Sequence, residues 1–166
     1  MTYYYYYREE ISWPRSNMSD EVGAISKTAT CSSGVIRVNW ILDSFVTDTL
    51  PLYIGWDVAS PVIEINKKRF EHHMNKHFTF WDATECTPPH FINGTTNKEE
   101  VFDLVHVRDV IQHLTLSQGL KYYCNVFLSG ARILVTTSYK AKVNIDIQEG
   151  GYYDNNVFIE PFSFPL

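Results

Sequence analysis

Two acids stand where short apolar runs give out. Asp57 follows Leu52-Tyr53-Ile54-Gly55-Trp56, and Asp82 follows His77-Phe78-Thr79-Phe80-Trp81. A carboxylate carries two acceptor oxygens, so Asp57 suits the paired hydroxyls of a ribose. Its plainer use is a charge or turn former ahead of the helix that Ser60-Pro61 opens. Asp82 can accept from the exocyclic amine of an adenine, or form an Asx turn into the proline-rich loop behind it. A third polar group follows another apolar run, in Val107-Arg108-Asp109-Val110-Ile111-Gln112-His113. The planar fork of Arg108 suits bidentate pairing with a carboxylate of a ligand or of the protein. Asp109 or His113 can act as a general base, and His113 titrates in the useful range. Their plainer use is an Arg–Asp surface pair and a satisfied histidine.

Other chemistry has less support. His72, His73 and His77 invite a metal reading, and His73 and His77 are four apart, as on one helix face. No nearby Cys or acid completes a ligand set, and His77 sits where a strand should begin, so no metal site is expected. There is no Gly-x-Ser-x-Gly elbow, no phosphate loop and no full Gly-x-Gly-x-x-Gly turn. Cys31-Ser32-Ser33-Gly34 is a small-residue loop that lets backbone approach a ligand.

These groups need elements to position them. Residues 1–22, with Tyr3 to Tyr7 and Trp13-Pro14, read as an extension that is poorly ordered, with an edge strand as the alternative for the tyrosines. Residues 23–39 read as a weak strand running into a loop, and Trp40 to Phe45 as a short helix. A buried strand is expected over 52–58. A helix follows, with Ser60 as N-cap, Pro61 at the first helical position and an apolar stripe through Val62, Ile65 and Arg69-Phe70. A strand over 77–82, an irregular loop over 83–100 and a strand over 101–107 come next. A helix beginning near Ser117 carries Leu120, Tyr123, Cys124 and Phe127 at i, i+3, i+4, i+7 spacing, and Ser129-Gly130 stops it. A fourth strand is expected over 131–137, then an aromatic, turn-rich tail without a helix.

Strands alternating with crossovers predict an α/β fold, a mostly parallel sheet with helices on both faces. Ligands bind such sheets beyond the C-terminal strand ends, where Asp57, Asp82 and Arg108-Asp109 all fall. The chain has 166 residues, which is one domain, expected over 23–166. Its net charge of −5 argues against general nucleic-acid binding. No apolar run approaches the ~20 residues of a membrane span. Cys31, Cys86 and Cys124 are odd in number and far apart, and no signal peptide opens the chain, so a reducing, cytoplasmic location is expected.

Phe102-Asp103-Leu104-Val105-His106-Val107-Arg108-Asp109-Val110-Ile111-Gln112-His113-Leu114 resembles the motif at the fourth strand of class I S-adenosylmethionine-dependent methyltransferases. Asn125 to Thr137 is similar to their fifth strand and its approach. Tyr53-Ile54-Gly55-Trp56-Asp57, with Ile63 and Asn66, is similar to the second-strand motif, and Phe80-Trp81-Asp82-Ala83-Thr84 to the third. The late Asn144-Ile145-Asp146, Gly150-Gly151-Tyr152, Asn156 and Pro161-Phe162-Ser163-Phe164-Pro165 resembles a tail of one branch of that superfamily.

The resemblance implies a seven-stranded Rossmann-like fold and S-adenosylmethionine as cofactor. It implies that Asp57 holds the ribose and Asp82 the adenine, with Ser33 and Gly34 in the cofactor loop. Arg108 and Asp109 would lie beside the methionine end and the substrate mouth, with His113 near the substrate. The methyl acceptor would be a small or glycan-like molecule. In the family the first strand ends in an acid followed by Gly-x-Gly. Here Thr28 to Gly34 lacks the acid and has serine for one glycine, and the flanks read as shortened at both ends. Two alternatives follow: a non-catalytic remnant that binds a partner or does nothing, and a nicotinamide-nucleotide protein, which needs the glycine turn this chain lacks.

Overall fold

The computed structural model describes residues 2–7, 27–32, 50–85, 91–93 and 98–165. The run 52–57 forms a strand because Tyr, Ile and Trp favour a pleated surface, and all six residues are buried, as in a strand covered on both faces. The strands, in chain order, are β1 (Thr2–Tyr7), β2 (Lys27–Ser32), β3 (Leu52–Asp57), β4 (Lys76–Phe80), β5 (Phe91–Asn93), β6 (Lys98–Glu100), β7 (Leu104–Arg108) and β8 (Ile133–Ser138). The helices are α1 (Ser60–Arg69) and α2 (Leu116–Leu128), with a 3₁₀ turn over Ile111–His113.

The main sheet has the order β1-β8-β7-β2-β3-β4. Every neighbouring pair is parallel except β1 with β8. The chain steps outward from β2 to β3 and β4, then returns to lay β7 and β8 on the other side of β2. The order therefore reverses between β2 and β7, as in doubly wound folds. The expected Rossmann-like sheet is present, with six strands among the described residues rather than the seven the resemblance implied. None of the described helices is long and apolar enough to cross a membrane.

Alternation divides the side chains between two faces. Ile54, Trp56, Val105, Val107 and Leu134 share one core cluster with Tyr122, Tyr123 and Val126 of α2 and with Val157 and Phe162 of the tail. Tyr53 and Phe78 pack on the opposite face against Ile63 of α1 and Phe70. Gly55 lies in that second layer, where an added Cβ would stand 2.7 Å from Phe78 Cδ1. Gly55→Ala is expected to cost about 1–3 kcal/mol through overpacking, read as a lower urea midpoint at unchanged slope.

Several local expectations need correction. The N-cap of α1 is Ala59, not Ser60, and has no side-chain cap of its own. The Asp57 carboxylate takes the Ala59 N–H instead, at 2.8 Å. The α2 stripe lies elsewhere: Gly119, Tyr122, Tyr123 and Val126 are buried, while Leu120, Cys124 and Phe127 are exposed. The spacing is unchanged, but the cores of the sheet and tail take two tyrosines side by side. Thr115 caps this helix in a reciprocal box with Gln118. The loop 83–100 contains the β5–β6 hairpin. In the expected 1–22 extension, Thr2–Tyr7 is paired with β8, because tyrosines suit a strand and β8 offers them a ladder. The remainder of that extension, and the expected helix over Trp40–Phe45, lie outside the described residues.

The tail has no helix, and asparagines fasten it. Asn155 Nδ2 donates to the Thr137 carbonyl at 3.2 Å, and Tyr139 N–H donates to the Asn155 carbonyl at 2.7 Å. The buried Asn144 side chain accepts the Asn156 N–H and donates to the carbonyls of Asn156 and Glu160. These bonds pin residues 139–155 as a loop across the C-terminal strand ends.

Candidate functional site

The parallel register decides which strand-end residues become neighbours. Cys31 is level with Trp56, and Ser32 with Arg108. Asp57 is level with Phe80, just before Trp81-Asp82. Asp57 and Arg108 therefore flank the end of β2 on one rim, beside the point where strand order reverses. Asp82 lies one strand further out.

Asp57 is 8% exposed, and its Oδ1 fixes the turn into α1. Asp82 Oδ1 accepts from both the backbone N–H and the hydroxyl of Thr84, at 2.9 and 2.7 Å. The turn-forming use of Asp82 is thus realised. Ser33 and Gly34 lie outside the described residues.

Beyond β7 the chain turns sharply at Asp109, whose φ of 51° is left-handed. Aspartate tolerates that region better than bulkier residues. The turn is held by the Asp109 N–H donating to Thr137 Oγ1 at 3.1 Å. Asp109 is 6% exposed. Its carboxylate meets Arg108 Nε at 3.4 Å and accepts from the Tyr139 hydroxyl at 3.3 Å. The Tyr152 hydroxyl donates to Asp154 Oδ1 at 2.8 Å.

His113 is exposed at the end of the 3₁₀ turn. Its Nδ1 lies 3.4 Å from the Gly151 carbonyl, and its ring centroid 5.6 Å from that of Tyr152. Arg108 and Asp109 are thus brought together, and His113 packs on the Tyr152 ring. His73 follows α1, whereas His77 lies in β4, so they do not share a helix face. Among the described residues no three metal-ligating side chains come together.

The electrostatics follow from burial. Inside β7, His106 is pushed down to about 4, first by desolvation and then by the Arg108 charge, with Asp109 opposing. Burial, the neighbouring Tyr152 phenol and the Asp109 carboxylate all raise Tyr139. Tyr152 is raised first by its bond to Asp154, and burial pushes Tyr153 up to about 12. Sequence reading missed Tyr139, Tyr152 and Asp154. Tyr139 carried a usable signal: it directly follows a strand, as Asp109 does.

An S-adenosylmethionine-like group poses definite demands: an acceptor for ribose hydroxyls and a cation for a carboxylate. The buried Asp57 carboxylate and Arg108, 13% exposed at its side chain, meet them in chemical type on one rim. No family model matches the chain, and no curated protein does. Solved structures are similar to part of it. NodS, an N-methyltransferase from Bradyrhizobium japonicum solved with S-adenosylhomocysteine, is 15% identical over 63% of this chain and 47% of that one, with a TM-score of 0.47. Phosphoethanolamine N-methyltransferase 1 from Haemonchus contortus, solved with phosphoethanolamine and S-adenosylhomocysteine, is 16% identical over 62% of this chain and 19% of that one, with a TM-score of 0.46. YcgJ from Bacillus subtilis is 16% identical over 62% of this chain and 38% of that one, at a TM-score of 0.45. The chain spans less than half the length of each of these three proteins.

Proposed function

We propose that this chain is an S-adenosylmethionine-dependent methyltransferase domain acting on a small-molecule acceptor. The observation that carries the reading is the placement of Asp57 and Arg108 on either side of the β2 end, at the reversal of strand order. Dinucleotide-like ligands bind doubly wound sheets at that crevice. Asp57 would hold the ribose hydroxyls. Arg108, beside Asp109, would face the methionine end. Asp82 and the loop at Ser33 and Gly34 would complete the cofactor site in the pattern of the resemblance. When bound, the cofactor supplies a methyl group on a positively charged sulfur.

This chain's residues then have definite tasks. The rim orients an acceptor nucleophile, and alignment at ~3–3.5 Å is most of what methyl transfer requires of a protein. Asp109 takes the proton of an acceptor hydroxyl or ammonium, and His113 lies at the outer edge of the same cluster. Arg108 Nε, 3.4 Å from the Asp109 carboxylate, orients it.

Calorimetric titration with S-adenosylmethionine and S-adenosylhomocysteine tests the reading, with circular dichroism as the folding control. Binding by the folded chain is expected. Asp57→Ala should weaken it by ~1–3 kcal/mol, the scale of a lost charge-assisted hydrogen-bond site. Asp57→Asn keeps an acceptor for the Ala59 N–H and separates ligand binding from the turn. A folded chain that takes neither ligand would instead be a non-catalytic relative.

A further inference from the structure

Tyr152 is a large aromatic side chain that is 55% exposed and yet held in place. Burial alternates along its segment, with Tyr152 and Asp154 exposed and Tyr153 and Asn155 buried, so the two outward side chains share one side. The Tyr152 hydroxyl donates to Asp154 Oδ1 at 2.8 Å, and the His113 ring packs on the phenol at 5.6 Å between centroids. Backbone groups on both sides of the ring are tied to the 3₁₀ turn. The Gly151 carbonyl lies 3.4 Å from His113 Nδ1, and the Tyr153 N–H donates to the Gln112 carbonyl at 3.0 Å. Ahead of the ring, Gly150 takes a left-handed φ of 80°. Gly151 has no room for a side chain, since a Cβ there would stand 2.9 Å from the Gln148 carbonyl oxygen.

An exposed ring fixed in advance spares a ligand the entropy of ordering it. This ring stands beside the turn that Asp109 opens. The Asp109 N–H and Asn155 Nδ2 both end on Thr137, at its Oγ1 and its carbonyl, at 3.1 and 3.2 Å. Charge then selects the ligand. From Val143 to Leu166 the charged side chains are Asp146, Glu149, Asp154 and Glu160, with no Lys or Arg among them. A phenol that donates to a carboxylate has an electron-rich ring, and the face of such a ring attracts a cation. A neutral sugar would gain contact with the ring but nothing from the acids.

We propose that Tyr152 and Asp154 form a subsite for the methyl acceptor and that the acceptor is a cationic amine. Its ammonium lies over the Tyr152 ring, with the Asp154 carboxylate as counter-charge. His113 is a positioning residue that props the ring. Calling the ligand the methyl acceptor rests on the methyltransferase reading; the affinity for a cation does not. An ammonium must lose a proton before its nitrogen can attack, which is the task given to Asp109.

The test titrates the full chain with tetramethylammonium chloride, at an ionic strength held constant with sodium chloride. Tert-butanol, a neutral molecule of similar shape, and methyl glucoside are titrated in parallel. NMR follows the ring signals of labelled tyrosines, with Tyr152 assigned by their loss in Tyr152→Leu, and the broadening of the ligand methyl signals. Tetramethylammonium should move the Tyr152 signals saturably, and the two neutral compounds should not. Tyr152→Leu should weaken its binding roughly fivefold and Asp154→Asn roughly threefold, whereas Tyr152→Phe, which keeps a ring, should retain most of it. Both side chains are exposed, so the variants should fold as the parent does, which circular dichroism checks. Equal binding of tert-butanol would overturn the proposal, as would a preference for the glucoside. So would tetramethylammonium binding that is indifferent to Tyr152→Leu. Calorimetry with S-adenosylhomocysteine keeps the two readings apart. Cofactor binding without cation binding sinks the subsite alone, whereas cation binding without cofactor binding supports the cation site and sinks the methyltransferase reading.

Discussion

Trp56→Ala will remove roughly 3–5 kcal/mol of stability, the cost of emptying a buried aromatic site. The ring is 2% exposed. It meets Trp81 edge-on at 4.8 Å between centroids and Phe102 at 5.0 Å. Trp81 lies just beyond β4 and Phe102 just before β7, so one side chain fills the space between three separate parts of the chain. The indole Nε1 has no hydrogen-bond partner among the described residues. Trp56→Phe therefore sacrifices volume but no bond, and should retain most of the stability. Urea unfolding followed by circular dichroism measures both. A loss below ~1.5 kcal/mol for the alanine variant would mean that the site collapses around the cavity. Under the proposed function, in which the adjacent Asp57 holds the ribose, the alanine variant should also weaken S-adenosylhomocysteine binding.

Acidification from pH 7 to pH 4 will cost the fold about 3 kcal/mol at His106 alone. The folded group has a pKa of about 4 against an ordinary 6.5. Between those values the unfolded chain binds the proton and the folded chain does not, so stability falls as the pH falls. The contribution is complete above pH 6.5 and exhausted below pH 4. Desolvation in the sheet is the first cause and Arg108 the second. His106→Val suits the strand and carries no proton. Its stability should fall less steeply than the parent's across this window, while the contribution of the carboxylates stays common to both. Parallel slopes in the two proteins would show that His106 ionises in place.

The strands around the rim were legible because each pairs an apolar run with a polar stop. Leu52 to Asp57 and Leu104 to Arg108 show this plainly, and a parallel sheet turns such stops into one rim. The buried side of α2 was less legible. Tyr122 and Leu120 both fit an apolar stripe, and only the packing of Phe162 and the sheet selects the side bearing Tyr122 and Tyr123. The α1 cap was misplaced because its acceptor is Asp57, a residue outside the usual capping position. At the site, Asp57, Arg108 and Asp109 announce themselves by residue type. Tyr139 could be found because it directly follows β8, but Tyr152 and Asp154 could not, because Asn155 ties their segment to the end of β8, 18 positions earlier. Such long-range bonds leave no period in the sequence.

The outermost strand has a different property. Thr2–Tyr7 meets β8 with Tyr3 opposite Thr137 and Tyr7 opposite Ile133. Moving β1 along its neighbour by one residue would leave four of these five positions facing a tyrosine as before. Within the run, the tyrosines carry almost no information about where they should sit. The alignment is a translational symmetry broken only at its ends, by Thr2 and Arg8, so adding or deleting one tyrosine shifts an end and leaves the ladder chemically the same.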